Sequence, residues 1–406
     1  MNTKKSITII GKWPLQFSAT IPYIHEFERR GVEIHYYISE EIYTQFKKIV
    51  QRGMTVYDLD ALANSKRLCK FCHKGVLEVF FLLKKIFKLN SNTHIFANNI
   101  IKFLMWPLLK NPFPTRKVFN VTPSAGPWLL SARGIEVYTF MGSWDHPAKI
   151  KVTGHLSKEV FTWNNDLSND WQKCQGDLNM DLAYPVPFHY IVNSGKFFAR
   201  ESMKTIMYPF SSSSNSKSIR FKEECKFVHE LCAATKQRGY NLFIKPKPNA
   251  SCGELNEFSE YSNVQICSYH KYSEKNNLFL TNEYNKIRIN ELQKVDLVIN
   301  LSTTFVFDAA LYQLPIVQLY FLANIEYPFF TNIHKQIHLA HLLKHKDLLF
   351  TINDKIPVKY QLKKYFDEKD LLLEKSRAFS RRLRTWIMPS ETMDQAVTRV
   401  VDKILK

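Results

Sequence analysis

Three consecutive hydroxyl residues, Ser302, Thr303 and Thr304, interrupt two apolar runs in Leu297-Val298-Ile299-Asn300-Leu301-Ser302-Thr303-Thr304-Phe305-Val306-Phe307-Asp308-Ala309-Ala310-Leu311-Tyr312-Gln313-Leu314-Pro315-Ile316. The pattern predicts a buried strand, a hydroxyl-rich turn, a helix and, past Leu314-Pro315, a further strand. The turn then falls at a helix start, where unpaired backbone N–H groups and the positive dipole end favour phosphate oxygens. Asp308 comes one helical turn later and is suited to accept hydrogen bonds from ribose hydroxyls. The plainer alternative is ordinary N-capping by Ser or Thr with a solvated Asp308.

Two other stretches carry chemistry. Lys245-Pro246-Lys247-Pro248 follows the strand-like run from Asn241 to Ile244, and its cations could neutralise a diphosphate. Asp145 and His146 lie in Gly142-Ser143-Trp144-Asp145-His146-Pro147, directly after the strand expected from Ile135 to Phe140. Site residues of open α/β sheets sit at such strand ends, and both side chains suit general-base work on a hydroxyl. A plain turn and an exposed basic loop are the structural alternatives.

No metal site is expected. Asp58-Leu59-Asp60 has the spacing that metal-dependent transferases use, but it precedes a long helical stretch, so N-capping is the expected role. Cys69-Lys70-Phe71-Cys72-His73 matches the c-type haem attachment spacing. Nothing in the sequence directs export, and no second Cys/His pair completes a zinc site, so neither haem nor zinc is expected.

These residues need a scaffold, and the apolar patterning supplies one. Ser6 to Ile10, a helix from Ser18 to Arg30 closed by Gly31, and Val32 to Ile38 make a strand-helix-strand opening of Rossmann-like character. Gly11-Lys12-Trp13-Pro14 lacks the glycines of a dinucleotide fingerprint. Strands are expected near Met54, Thr93, Lys117, Ile135 and Glu159, with a long helical region from about Ala61 to Lys88. A second α/β series begins with Ile206 to Phe210, the polar loop Ser211 to Asn215, and a helix through Phe221, Cys225, Val228 and Cys232 that Gly239 stops. Strands at Asn241, Val264, Leu297 and Pro315 continue it. The expected domains are 1–190, 191–375 and a C-terminal piece, 376–406, that packs back on the first.

The 297–316 run resembles the nucleotide-binding signature of GT-B glycosyltransferases and their polyol-phosphate transferase relatives. It has the hydroxyl pair, the acidic residue before Ala-Leu and the following proline. It is most similar to bacterial surface-polysaccharide families that include CDP-glycerol glycerophosphotransferases and CMP-sugar-using sialyl- and Kdo transferases. Lys245-Pro246-Lys247-Pro248 resembles their Arg/Lys-Pro-His-Pro element, with Lys247 in the histidine's place. A lysine retains phosphate binding but is a poor proton donor near neutrality. Ser143-Trp144-Asp145, with Trp163-Asn164 after it, resembles elements of uncharacterised members of the same group. The likeness runs from about residue 130 to 320.

What the resemblance implies is an α/β fold of the GT-B class, two Rossmann-like domains facing across a cleft. The implied activity is transfer of a sugar from a nucleotide-activated donor to a bacterial surface polysaccharide or lipopolysaccharide acceptor. Ser302, Thr303 and Thr304 would take the donor phosphate, helped by Lys245 and Lys247, so no cofactor and no divalent ion is implied. Phosphotransfer from a CDP-polyol is the alternative, and the missing histidine counts against it. A non-catalytic relative that binds anionic glycan or lipid is the other.

Composition agrees with a globular enzyme: 45% hydrophobic and 23% charged residues exclude a disordered or fibrous chain. The net charge of +19 calls for an anionic partner. No nucleic-acid-binding motif accompanies it, so nucleic acid is not expected. Seven unpaired-looking cysteines and no signal-peptide pattern point to the cytoplasm. The stretch from Val76 to Lys110 pairs apolar residues with Lys84, Lys85 and Lys88. It is expected either to attach peripherally to the inner membrane face, where a lipid-linked acceptor would be met, or to join the core.

Overall fold

The computed structural model describes residues 5–12, 17–40, 42–43, 55–65, 78–79, 82, 111–121, 130, 134–143, 157–175, 178–194, 203–212, 218–247, 252–267, 282–322, 324, 326–333 and 335–406. The chain divides into two compact units, Met1–Pro187 with Met388–Lys406, and Phe188–Ile387.

In the first unit, strands β1 (Ser6–Gly11), β2 (Glu33–Ile38), β3 (Thr55–Asp58), β4 (Lys117–Val121), β5 (Glu136–Phe140), β6 (Glu159–Thr162) and β7 (Met180–Leu182) form one sheet in the order β3-β2-β1-β4-β5-β6-β7. Every pairing is parallel. Helix α1 (Ile21–Arg29) starts with proline in its first turn and presents Tyr23 and Phe27 to Phe119 and Phe140. Gly31 takes φ 70°, the left-handed stop that a residue without Cβ adopts most readily. At Gly11 a Cβ would come within 2.2 Å of the Phe17 ring, so only glycine permits that approach. Asp58 accepts from the N–H groups of Asp60 and Ala61 at 2.8 and 3.0 Å and caps α2 (Leu59–Ser65). Helix α3 (Asn165–Gln175) packs Leu167 and Trp171 inward.

The second unit opens on α4 (His189–Val192) and carries β8 (Thr205–Pro209), α5 (Ile219–Gln237), β9 (Asn241–Lys245), β10 (Val264–Ile266), α6 (Asn282–Gln293), β11 (Leu297–Asn300), α7 (Phe305–Leu311), β12 (Ile316–Phe321), α8 (Pro328–Ile333), β13 (Phe350–Ile352), α9 (Val358–Asp367) and α10 (Lys369–Ile387). Its sheet, also parallel, runs β10-β9-β8-β11-β12-β13. Its core includes Tyr208, Phe227, Phe321, Tyr327 and Phe330, with rings in tilted, stacked or edge contact.

The return to the first unit occurs at Met388, twelve residues later than expected from the sequence, because α10 packs on α7 and β12 of the second unit. Helix α11 (Met393–Leu405) then lies on α1. Thr392 and Gln395 close a capping box at its start. Arg399 donates to Asp181 at 3.0 Å and to the Leu182 carbonyl at 2.9 Å, Lys403 reaches Asp181 at 2.9 Å, and Arg30 pairs with Asp402. The buried face, Ala396, Val397, Val400, Val401 and Ile404, supplies the apolar contact.

Candidate functional site

Both sheets reverse strand order beside their first strand, between β1 and β4 and between β8 and β11. The loops after such strands bound the crevice where open α/β sheets take ligands. In the second unit these loops are the turns after Pro209 and after Asn300, and they leave the same end of the sheet, since Ile206 pairs with Leu297 and Met207 with Val298 in parallel register.

The turn after β11 is shaped by a buried amide. Asn300 Oδ1 accepts from the Thr303 N–H at 3.1 Å and from the Thr303 hydroxyl at 2.7 Å. Its Nδ2 donates to Gln318 Oε1 at 2.7 Å, and Gln318 Nε2 donates to the Leu301 carbonyl at 2.8 Å. Asn300 and Gln318 are opposite each other in the β11–β12 register, so two facing amides clamp the base of the turn. Ser302, Thr303 and Thr304 stay partly exposed above it. The Ser302 hydroxyl is buried and has no hydrogen-bond partner among the described residues.

The turn after β8 carries Ser211 and Ser212, each about 1% exposed. The Ser212 hydroxyl is likewise buried without a partner among the described residues. An unsatisfied buried hydroxyl is costly and asks for a ligand or a water. Here two of them stand on adjacent strand ends at the point where strand order reverses.

Lys245 and Asp308, expected from the sequence to bind the donor, are both enclosed and each faces an opposite charge. Lys245 ends β9, is 6% exposed, and bonds Glu291 of α6 at 2.5 Å. Its ammonium stands 4.9 Å from the Phe305 ring centroid, at the start of α7. Asp308, 1% exposed, receives Arg288 Nε at 3.0 Å and its Nη2 as well. Arg288 in turn covers Tyr190 of α4 at 4.7 Å. The result is a buried quartet of two cations and two carboxylates under the turn. Burial pushes the Lys245 ammonium down from its usual range, opposed by Glu291. Burial pushes Asp308 up, opposed by Arg288. Lys247 follows, half-buried, two residues past Lys245.

Sequence reasoning singled out the 302–304 turn but not its organisers, Asn300 and Gln318, nor Arg288 and Glu291, nor the Ser211-Ser212 turn as a partner to it. The clue available was the serine run after a strand. Asp145 and His146 lie outside the described residues, as do the Cys69–Cys72 pair, the lysines 84, 85 and 88, and nearly all of the 76–110 stretch. Asp60, the second acid of the Asp-x-Asp spacing, stands 3.8 Å from Lys12. No helix among the described residues is long and apolar enough to cross a membrane.

No protein-family model matches the chain, and no curated protein matches it. Solved structures do. Arabidopsis thaliana UGT89C1 complexed with UDP superposes with a TM-score of 0.55 at 9% identity, over 100% of both chains. The UDP-GlcNAc 2-epimerase of Methanocaldococcus jannaschii, solved with UDP-GlcNAc and UDP, gives 0.51 at 14%, over 98% of this chain and 99% of the other. S. aureus MnaA with UDP gives 0.52 at 10%, over 99% and 96%. The two parallel-sheet, Rossmann-like units are thus those of the GT-B fold class.

Proposed function

We propose that this protein is a GT-B glycosyltransferase that takes its sugar from a nucleoside diphosphate donor. The observation that carries the reading is the pair of buried hydroxyls, Ser212 and Ser302, which have no partner among the described residues and stand on adjacent strand ends at the reversal point of the second sheet. The diphosphate would be held by Ser302, Thr303 and Thr304, with Lys247 beside them. Lys245, paired with Glu291, would support the turn, while Asp308, held by Arg288 through Oδ2, keeps a buried Oδ1 with no partner among the described residues that could accept from the donor. UDP in the solved structures of similar fold supports a diphosphate as the group to test first.

In the reaction the acceptor hydroxyl oxygen forms a bond to the anomeric carbon of the donor sugar. The bond from that carbon to the diphosphate oxygen breaks, and the nucleoside diphosphate leaves. From their sequence context, Asp145 and His146 are the groups we assign to accept the hydroxyl proton. Stabilising the leaving diphosphate by hydroxyls, N–H groups and a lysine makes a divalent ion dispensable. The acceptor we propose is a growing bacterial surface polysaccharide or lipopolysaccharide, met at the inner membrane face. The net charge of +19 supports that location.

The test is a screen of UDP-, GDP-, CDP-, CMP- and dTDP-linked sugars by thermal shift and donor hydrolysis, with EDTA and with added divalent ions. The expected result is stabilisation and turnover by one diphosphate-linked class in EDTA; turnover of a CMP-linked sugar alone, which carries no diphosphate, overturns the diphosphate reading. No shift with any compound overturns the reading. Conversion of UDP-GlcNAc to its 2-epimer without an acceptor would replace transferase with epimerase.

A further inference from the structure

Glu224 is completely buried on α5, and its carboxylate receives four hydrogen bonds from the turn after β8 and the strand before it. The Tyr208 hydroxyl donates at 2.9 Å, the Ser211 N–H at 2.5 Å, the Ser211 hydroxyl at 2.9 Å and the Ser212 N–H at 2.7 Å. A buried carboxylate survives only when so compensated, and the turn is fixed in return. Neighbours on the same helix turn extend the clamp. Arg220 donates to the Ser211 carbonyl at 2.6 Å and stands 5.4 Å from the Phe329 ring. Glu223 accepts from the Phe329 and Phe330 N–H groups at 2.9 and 3.1 Å, where α8 begins.

The backbone N–H groups of Ser211 and Ser212 are therefore occupied by an anion that the chain itself supplies. Among the described residues of the turn, Ser212 keeps a buried hydroxyl that has no partner there and is left for a ligand. We propose that Glu224 is a positioning residue for the sugar donor: acting through the Ser211-Ser212 turn, it sets the Ser212 hydroxyl at one fixed place opposite Ser302, where the two bracket the diphosphate. This inference rests on the donor reading above.

The test compares the wild type with Glu224→Gln, Glu224→Asp and Ser212→Ala, using UDP and uridine as calorimetric probes. Glutamine keeps the shape but turns an NH2 group toward two hydrogen-bond donors, so the turn loses its place. The expected result is at least tenfold weaker UDP binding by the Gln variant, unchanged uridine binding, faster hydrogen exchange at Ser211 and Ser212, and partial recovery with Asp. Ser212→Ala removes a hydroxyl with no partner among the described residues and is expected to lose UDP affinity with no loss of melting temperature, which covers the case of a Gln variant that does not fold. Wild-type UDP affinity in the Gln or Ala protein overturns the positioning role while leaving the donor reading intact. Failure of the wild type to bind UDP, GDP, CDP or dTDP removes the donor reading and this inference with it.

Discussion

Lys245 Nζ and Glu291 Oε2 lie 2.5 Å apart, both nearly enclosed, at the foot of the strand-to-helix turn that the hydroxyl run marks. Beside them Arg288 and Asp308 make a second enclosed pair, so the end of the second sheet rests on balanced, opposed charges. Removing one member leaves its partner buried and uncompensated, which costs about 3–5 kcal/mol, whereas removing both members of a pair costs far less.

Arg288→Met is accordingly expected to destabilise the protein by about 3–5 kcal/mol, and Arg288→Met with Asp308→Asn to recover most of it. Urea denaturation of the singles and the double checks this. Additive losses would mean that the two side chains do not act as a pair.

Ser302→Ala should leave the unfolding free energy within about 0.5 kcal/mol of wild type, since the hydroxyl it removes has no partner among the described residues. Affinity for the nucleoside diphosphate should fall about tenfold, or about 1.4 kcal/mol. Calorimetry on the same samples separates the two effects.

Asn300→Ala strands Gln318 and releases Thr303, so it should lose about 1–3 kcal/mol of stability and also weaken diphosphate binding. An Asn300→Ala protein that binds as the wild type does would disconnect the amide clamp from the ligand.

Asp145→Asn is expected to lower turnover about a hundredfold to ten-thousandfold with donor affinity unchanged. Single-turnover assays against a calorimetric Kd measure both.

Glu26 contributes to acid stability in the first unit. Hydrogen bonds from Arg29, and next from Arg30, hold its carboxyl down to about 2 against the opposing effect of burial. Because the folded pKa lies below the unfolded value, this stabilisation is present above the ordinary carboxylate range and is lost as pH falls toward 2. The wild type minus Glu26→Gln difference in urea midpoint should therefore shrink between about pH 4.5 and pH 2. A constant difference would assign Glu26 no pH-linked role.

Most strands are legible in the sequence because parallel strands covered on both faces read as β-branched or apolar runs, as Ile7 to Ile10 and Leu297 to Ile299 do. β7, Met180-Asp181-Leu182, is not, because a three-residue edge strand with an acid at its centre shows no such run, and the short β13 is not legible either. The hydroxyl turn is legible for the same reason: polar residues between two apolar runs mark a strand end. Charge pairing leaves no such trace. Arg288 and Asp308, or Lys245 and Glu291, meet only through the fold, and nothing periodic in the sequence separates a buried ion from a ligand-facing one. Glu224 reads as one more acid on a helix until its position under Ser211 and Ser212 is known.

The return of Met388–Lys406 to the first unit fixes an order of events during synthesis. The second unit is contiguous and emerges whole from the ribosome before the residues that complete the first. Until α11 is made, Arg30 lacks Asp402, Asp181 lacks Arg399 and Lys403, and the α1 surface stays uncovered. The first unit, whose chain is made first, is completed last, and a nascent chain that has released α10 but not yet α11 carries a complete second unit beside a first unit still open to chaperones.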